Sequence, residues 1–301
     1  MQKIVPFIWF DTQASEAAEL YISAFKNINI PGNTGIKSKQ YLENTPSGRV
    51  ETFVIELGGF EMQLMSAGPY LTINPSISFL IICKTDSEVE ELWQHLSSGG
   101  RVLMELGSYP FSDKYGWVQD KFGLTWQIIL LDNQDVDHEI IPTIMFIGDN
   151  CGKTEEAIHF YKSIFRQSSI GEISRYGEGK LPDKPENIEH VDFTLEGQKF
   201  AAMDSAFDHQ FKLNEAVSFI IYCQDQAEID YYWDKLSAQP EAEQCGWLKD
   251  KFGVSWQVVP REMDTMLSAG TPTQRERVTQ AFLKMKKFDL NSLRTAFNGV
   301  D

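Results

Sequence analysis

The chain has 301 residues, 42% hydrophobic and 12% aromatic, enough for two domains of about 150 residues, each with its own core. Its formal charge of −16 argues against nucleic acid or an anionic membrane surface as the main partner, because phosphates would be repelled. Cys83, Cys151, Cys223 and Cys245 form no C-x-x-C pair and no grouping with zinc-site spacing. Cys83 and Cys223 lie in apolar runs and read as small buried hydrophobes, which fits a reducing cytoplasm. The opening residues hold no signal-peptide core, and no apolar run approaches the roughly 18 residues of a membrane span.

In chain order, residues 4–10 are apolar and aromatic, as a buried strand should be. Residues 15–26 carry apolar side chains at 17, 18, 21, 24 and 25, a helical stripe with Ser15 as its expected N-cap. Val50, Thr52, Val54 and Glu56 alternate with Glu51, Phe53, Ile55 and Leu57, and Gly58-Gly59 turns this strand into another over 60–66. A strand follows over 76–83, then a helix over 86–98 that ends before Gly99-Gly100. Two more strands flank Asp120-Lys121-Phe122-Gly123. The order is strand, helix, then two or three strands, and it then begins again.

The second pass is a repeat of the first. Gly116-Trp117-Val118-Gln119-Asp120-Lys121-Phe122-Gly123-Leu124-Thr125-Trp126-Gln127 returns at 246–257 as Gly-Trp-Leu-Lys-Asp-Lys-Phe-Gly-Val-Ser-Trp-Gln, eight identities in twelve positions. Ser78-Phe79 with Ile81 and Cys83 matches Ser218-Phe219 with Ile221 and Cys223, and Tyr21 with Phe25 matches Tyr161 with Phe165. The second copy lacks about ten residues that the first has between 100 and 115. The reading is an α+β protein of tandem βαβββ modules, four in all. One half spans 1–131, a polar acidic linker 132–140, and the second half 141–260. Residues 261–301 lie outside the repeat. There Thr271-Pro272-Thr273-Gln274 forms a helix start, and the basic residues Arg275, Arg277, Lys284, Lys286, Lys287 and Arg294 suit docking onto an acidic body. Paired modules should curve around a cavity with their helices outside.

Paired modules of this kind resemble the vicinal oxygen chelate superfamily, which includes glyoxalase I, bleomycin-resistance proteins and extradiol dioxygenases. Pro6-Phe7-Ile8 before a Glu-Ala-x-x-x-Tyr helix, Gly99-Gly100 before Met104, and Tyr115-Gly116-Trp117 before Asp120-x-Phe122-Gly123-x-x-Trp126 narrow the resemblance to its PhnB-like branch. The tail segment Phe282-Leu283-Lys284-Met285-Lys286-Lys287-Phe288-Asp289 is similar to endings in that branch. The resemblance implies two glyoxalase-like domains and a C-terminal helical tail. Superfamily enzymes hold a divalent metal through His and Glu on four strands of a domain. The corresponding positions here are Pro6 and Pro142, Gln63 and Ala201, Ser78 and Ser218, and Gln127 and Gln257. None is a strong ligand for zinc or iron, so no metal site and no cofactor are expected.

The ligand-binding candidates are therefore Gln63, Ser78, Gln127, Ser218 and Gln257, polar groups that would line the cavity if the resemblance holds. A polar strand face meeting water is the competing reading. His190, with Asp204 on the neighbouring strand, is the one acid–base candidate, against an ordinary surface histidine. His95, His138 and His159 read as surface residues. Trp9, Trp117, Trp126, Trp247 and Trp256 read as core, although an aromatic rim would suit a flat ligand. The leading function is a metal-independent small-molecule-binding protein, with a superfamily enzyme of altered site as the alternative. Relatives of this kind often carry a demethylubiquinone methyltransferase label, but no glycine-rich strand-to-helix turn for S-adenosylmethionine is present, since Gly58-Gly59 joins two strands. A further reading makes one copy a scaffold that supports homodimerisation or the other half.

Overall fold

A computed structural model describes residues 2–131 and 137–299, so part of the expected linker, 132–136, lies outside the described residues. The first quarter forms β1 (Ile4–Phe10), α1 (Ala14–Lys26), β2 (Gly35–Thr45), β3 (Gly48–Leu57) and β4 (Phe60–Ser66). The second forms β5 (Ile77–Cys83), α2 (Asp86–Ser97), β6 (Arg101–Tyr109), β7 (Ser112–Gln119) and β8 (Thr125–Leu130). The third repeats this as β9 (Glu139–Ile147), α3 (Thr154–Ile164), β10 (Ser169–Arg175), β11 (Ile188–Leu195) and β12 (Gln198–Ser205). The fourth has β13 (Val217–Cys223), α4 (Gln226–Leu236), β14 (Trp247–Lys249) and β15 (Ser255–Pro260), and its missing residues leave it one strand short. Three tail helices follow: α5 (Arg261–Ala269), α6 (Pro272–Phe282) and α7 (Leu290–Asn298).

In each quarter the helix returns the chain across one face, so the first strand pairs in parallel with the last: β1 with β4, β5 with β8, β9 with β12, β13 with β15. Quarters then join through their first strands, antiparallel, and the choice of partner crosses the repeat. β1 pairs with β13, and β5 with β9. One sheet therefore runs β14-β15-β13-β1-β4-β3-β2 and the other β10-β11-β12-β9-β5-β8-β7-β6. The sequence halves do not each build their own sheet; each half contributes a quarter to both.

The helices cover the convex face of each sheet and share one continuous core, which places them between the sheets and turns the two concave faces outward. Tyr21 of α1, whose helix also packs on β3, sits 5.0 Å from the Trp126 ring of the other sheet. The start of α1 differs from the expectation. Ser15 lies inside the helix, and the Ser66 hydroxyl, from the end of β4, accepts from the Ala14 N–H at 3.0 Å. Thr271 and Gln274 do form a capping box, with Pro272 in the first helical turn.

The repeated Asp-Lys-Phe-Gly-x-x-Trp segment is a structural lock. Asp250 is fully buried and accepts from the Phe252 and Val254 N–H groups at 2.8 and 3.1 Å, from the Tyr161 hydroxyl at 2.8 Å and from Trp256 Nε1 at 2.9 Å. Asp120 repeats all four bonds with Phe122, Leu124, Tyr21 and Trp126. Each lock ties the helix of one quarter to the last strand of the next, so it fastens the two sheets together within each half. Burial raises both carboxyls above the usual range, Asp250 to about 6, although the four donors oppose that rise.

The tail closes the concave face of the seven-stranded sheet. Val5, Phe7, Ile220, Tyr222 and Val259 on the sheet pack against Met263, Leu267, Phe282 and Phe288. The Cys245 and Gly246 N–H groups donate to the Met285 and Lys286 carbonyls at 2.8 and 2.7 Å. Lys287 and Lys286 pair with Asp230 and Glu243, but such exposed pairs contribute little, and apolar burial supplies most of the docking energy. No helix among the described residues is long and apolar enough to cross a membrane.

Candidate functional site

Strand alternation decides which side chains enter each cup. On β1, Ile4, Ile8 and Phe10 belong to the helix-side core, and Val5, Phe7 and Trp9 face the cup. Pro6 pairs with Phe219 of the helix-side core, so the cup position expected for Pro6 belongs to its neighbour Phe7. Likewise Pro142 pairs with Phe79, and Thr143 takes the cup position. A one-residue slip in register exchanges the faces of a strand, and Pro6 and Pro142 each stand one residue from the cup position.

With that correction the four positions converge in each cup, drawing on both halves of the chain. In the seven-stranded sheet Phe7 lies beside Gln63 and opposite Ser218, and Gln257 Nε2 donates to the Ser218 hydroxyl at 3.0 Å. In the eight-stranded sheet Thr143 lies beside Ala201 and opposite Ser78, and Gln127 Nε2 donates to Ser78 at 2.8 Å. The two sets, Phe7/Gln63/Ser218/Gln257 and Thr143/Ala201/Ser78/Gln127, offer no carboxylate, imidazole or thiolate. They do not fit the metal of the superfamily enzymes. Among the described residues, no group of three or more His, Cys, Asp or Glu is arranged to hold an ion.

The cups differ in one substitution. In the eight-stranded sheet Tyr115 is buried against Leu80, Ile82 and Ile141 and donates to Gln127 Oε1 at 2.7 Å, so both ends of that amide are occupied. The repeat puts Cys245 at the matching position, and Gln257 Oε1 accepts from no described residue. The cup of the seven-stranded sheet holds a cavity of about 750 Å³. Its walls are mainly apolar, from Phe7, Val54, Met65, Val259, Met263 and Phe282, and Trp9 and Trp247 add an aromatic wall, their rings 6.4 Å apart. Trp126 and Trp256 are instead fully buried core.

A second polar cluster in this cavity centres on Tyr222. Its hydroxyl donates to Gln63 Oε1 at 3.3 Å and lies near the Asp264 carboxyl of α5, while the Arg261 guanidinium lies 4.7 Å from its ring centre. Burial pushes the Asp264 carboxyl up to about 6; the nearby Tyr222 hydroxyl and the charge of Arg261 pull it down, and Glu61 raises it. Tyr222 was within reach of sequence reasoning, since it shares a strand face with Ser218 and Ile220. Asp264 was not, because no repeat or motif connects the tail to the cup.

The histidines offer less. His190 and Asp204 lie on opposite faces of the sheet. His190 meets Asp192 at 3.1 Å and is well exposed, while Asp204 accepts from the Gly152, Thr154 and Ile188 N–H groups. They cannot act as a pair. His138 is not a free surface residue: it is largely covered and meets Glu88 at 3.0 Å, and the contact helps hold that carboxylate below its usual range against burial. His209, which the sequence reading did not single out, meets the Ser205 hydroxyl at 2.8 Å, and burial lowers its pKa. No described residue bonds its Nδ1 to orient it as a catalytic base.

Tandem βαβββ modules in two sheets define a duplicated glyoxalase-like fold. The profile of the family described as 3-demethylubiquinone-9 3-methyltransferase matches residues 2–129 and again 138–259, and the chain belongs to that family. A PhnB protein of Bacillus cereus is 30% identical over 43% of this chain and 100% of its own, with a TM-score of 0.39. A mutant glyoxalase I from Zea mays aligns over 77% of this chain and 79% of its own at 12% identity and TM-score 0.51. A second mutant of that enzyme aligns over 85% and 93% at 13% identity and TM-score 0.50, a likeness of fold alone. No curated relative matches the chain.

Proposed function

We propose that this protein binds a small organic molecule in the cup of the seven-stranded sheet and needs no metal to do so. The observation that carries this is the cavity of about 750 Å³, of a size that suits drug-sized ligands, with apolar walls and a few converging polar groups. Gln63 and Gln257 supply donors and acceptors there, the buried Ser218 hydroxyl holds the Gln257 amide from behind, and Gln257 Oε1 is open to a ligand. In the other cup Ser78 and Gln127 are bonded to each other and capped by Tyr115, so that cup acts as scaffold. The methyltransferase reading finds no support in the geometry, since Gly58-Gly59 joins β3 to β4 and cannot cradle a cofactor at a helix start.

The test is a thermal-shift series with divalent metals, S-adenosylmethionine and flat aromatic compounds, run beside metal analysis of the purified protein. Only a ligand that favours the folded state raises the midpoint. The expected result is a rise with aromatic compounds and no stoichiometric metal. A tightly bound ion, or a shift with S-adenosylmethionine alone, overturns the proposal.

A further inference from the structure

The lining of the cavity has one electrostatic sign. It includes the carboxylates Asp264 and Glu215, several aromatic rings, and no lysine, arginine or histidine. Glu215 is already paired with Lys249 at 2.7 Å. Asp264 is different: its neighbours are the Tyr222 hydroxyl on β13, Arg261 one helical turn away and Glu61 on β4. Arg261 itself lies over the Tyr222 ring and donates to the Gln2 carbonyl at 3.3 Å, directions that keep it out of the lining. An apolar pocket that presents an acid and aromatic faces, with no cation in its wall, disfavours anions and attracts a positive group.

We propose that the cup takes lipophilic organic cations, a protonated amine on a flat apolar body, with Asp264 as counter-ion and the Trp9, Trp247 and Tyr222 rings beside it. This rests on the reading of the cup as a small-molecule site. The amine would donate to the Asp264 carboxylate, while Gln257 Oε1 accepts from a second donor on the ligand. The tail thus supplies specificity to a pocket whose walls come from the repeat.

The experiment uses the full chain and three probes of one shape: 1-naphthylmethylamine, 1-naphthylmethanol and 1-naphthoic acid, titrated by calorimetry at pH 7.5 (~7.5, above the Asp264 range). The amine is expected to bind about tenfold tighter than the alcohol, as a charge-assisted hydrogen bond supplies, and the acid weakest. Asp264→Asn should abolish the amine's advantage over the alcohol. Glu262→Gln, on the same helix but facing Arg294, should change neither. In the unmodified protein the advantage should also shrink below about pH 6, as Asp264 takes up a proton. Equal binding of amine and alcohol, or an Asp264→Asn variant that keeps the preference, overturns the charge assignment. Failure of all three probes to bind overturns the small-molecule reading itself.

Discussion

Tyr161→Phe isolates one bond of the second lock and makes its strength depend on pH. The ring, which packs 5.5 Å from Trp256 and 6.1 Å from Phe252, is kept; only the hydroxyl that donates to Asp250 Oδ2 is lost. Asp250 then keeps three donors. When the carboxyl is ionised, the lost bond is charge-assisted and worth about 1.5–3 kcal/mol; when it is protonated, the loss falls to about 0.5–1.5 kcal/mol. Burial places the transition at about 6. Because Asp250 titrates higher in the fold than in the unfolded chain, its own contribution is full below about pH 4 and fades as pH rises through 6. Removing the tyrosine donor pushes that carboxyl higher still, so the variant's deficit must grow with pH. Urea denaturation of both proteins at about pH 5 and about pH 8 should show the deficit roughly doubling between them. A deficit that is constant, or larger in acid, refutes the account of Asp250 as an ionisable acceptor.

Three further outcomes follow from the same geometry. Asp264→Asn should raise stability near pH 8 by less than about 3 kcal/mol, since part of the carboxyl meets water, and should flatten the pH dependence between about 4 and 6; an unchanged profile by thermal melts would remove Asp264 from the cavity. Gly246→Ala should loosen the tail, because the backbone there has φ +82° and a Cβ would fall 2.5 Å from the Phe288 ring. A loss of about 1–3 kcal/mol and earlier proteolysis beyond residue 270 are expected, and a native-like cleavage pattern would count against the docking described. The halves 1–131 and 137–301, expressed separately, should be unstable alone and combine one to one, because β1–β13 and β5–β9 both cross between them; two stable monomers by light scattering would contradict that topology.

Local structure was largely legible in the residues. The strand at 4–10, the helix of 86–98, the turn at Gly58-Gly59 and the Thr271 capping box follow from periodicity and turn chemistry, which act over a few residues. Long-range choices were not. Similarity between halves cannot say whether β1 will lie beside β5 or β13, because every first strand presents the same apolar edge. The exchange of Pro6 for Phe7 was a one-residue error, and in a strand that is a whole face. Of the site, the repeat and the resemblance grouped Gln63 with Ser78 and Gln127, and Ser218 with Gln257; the crossed pairing of the halves brings Gln63 to Ser218 and Gln257 instead. The contrast between Tyr115 and Cys245 was visible in the alignment of the copies, but its meaning required the bond from Tyr115 to Gln127.

The seven-stranded sheet is assembled from two segments far apart in the chain. Its quarters are residues 4–66 and 217–260, and its cover follows from 261 onward. During synthesis the residues between them can complete the eight-stranded sheet first, while β1 waits for β13. The pocket therefore forms only once β13, β15 and the helices that follow them have joined β1. A ligand that binds there reports that the two distant segments have met.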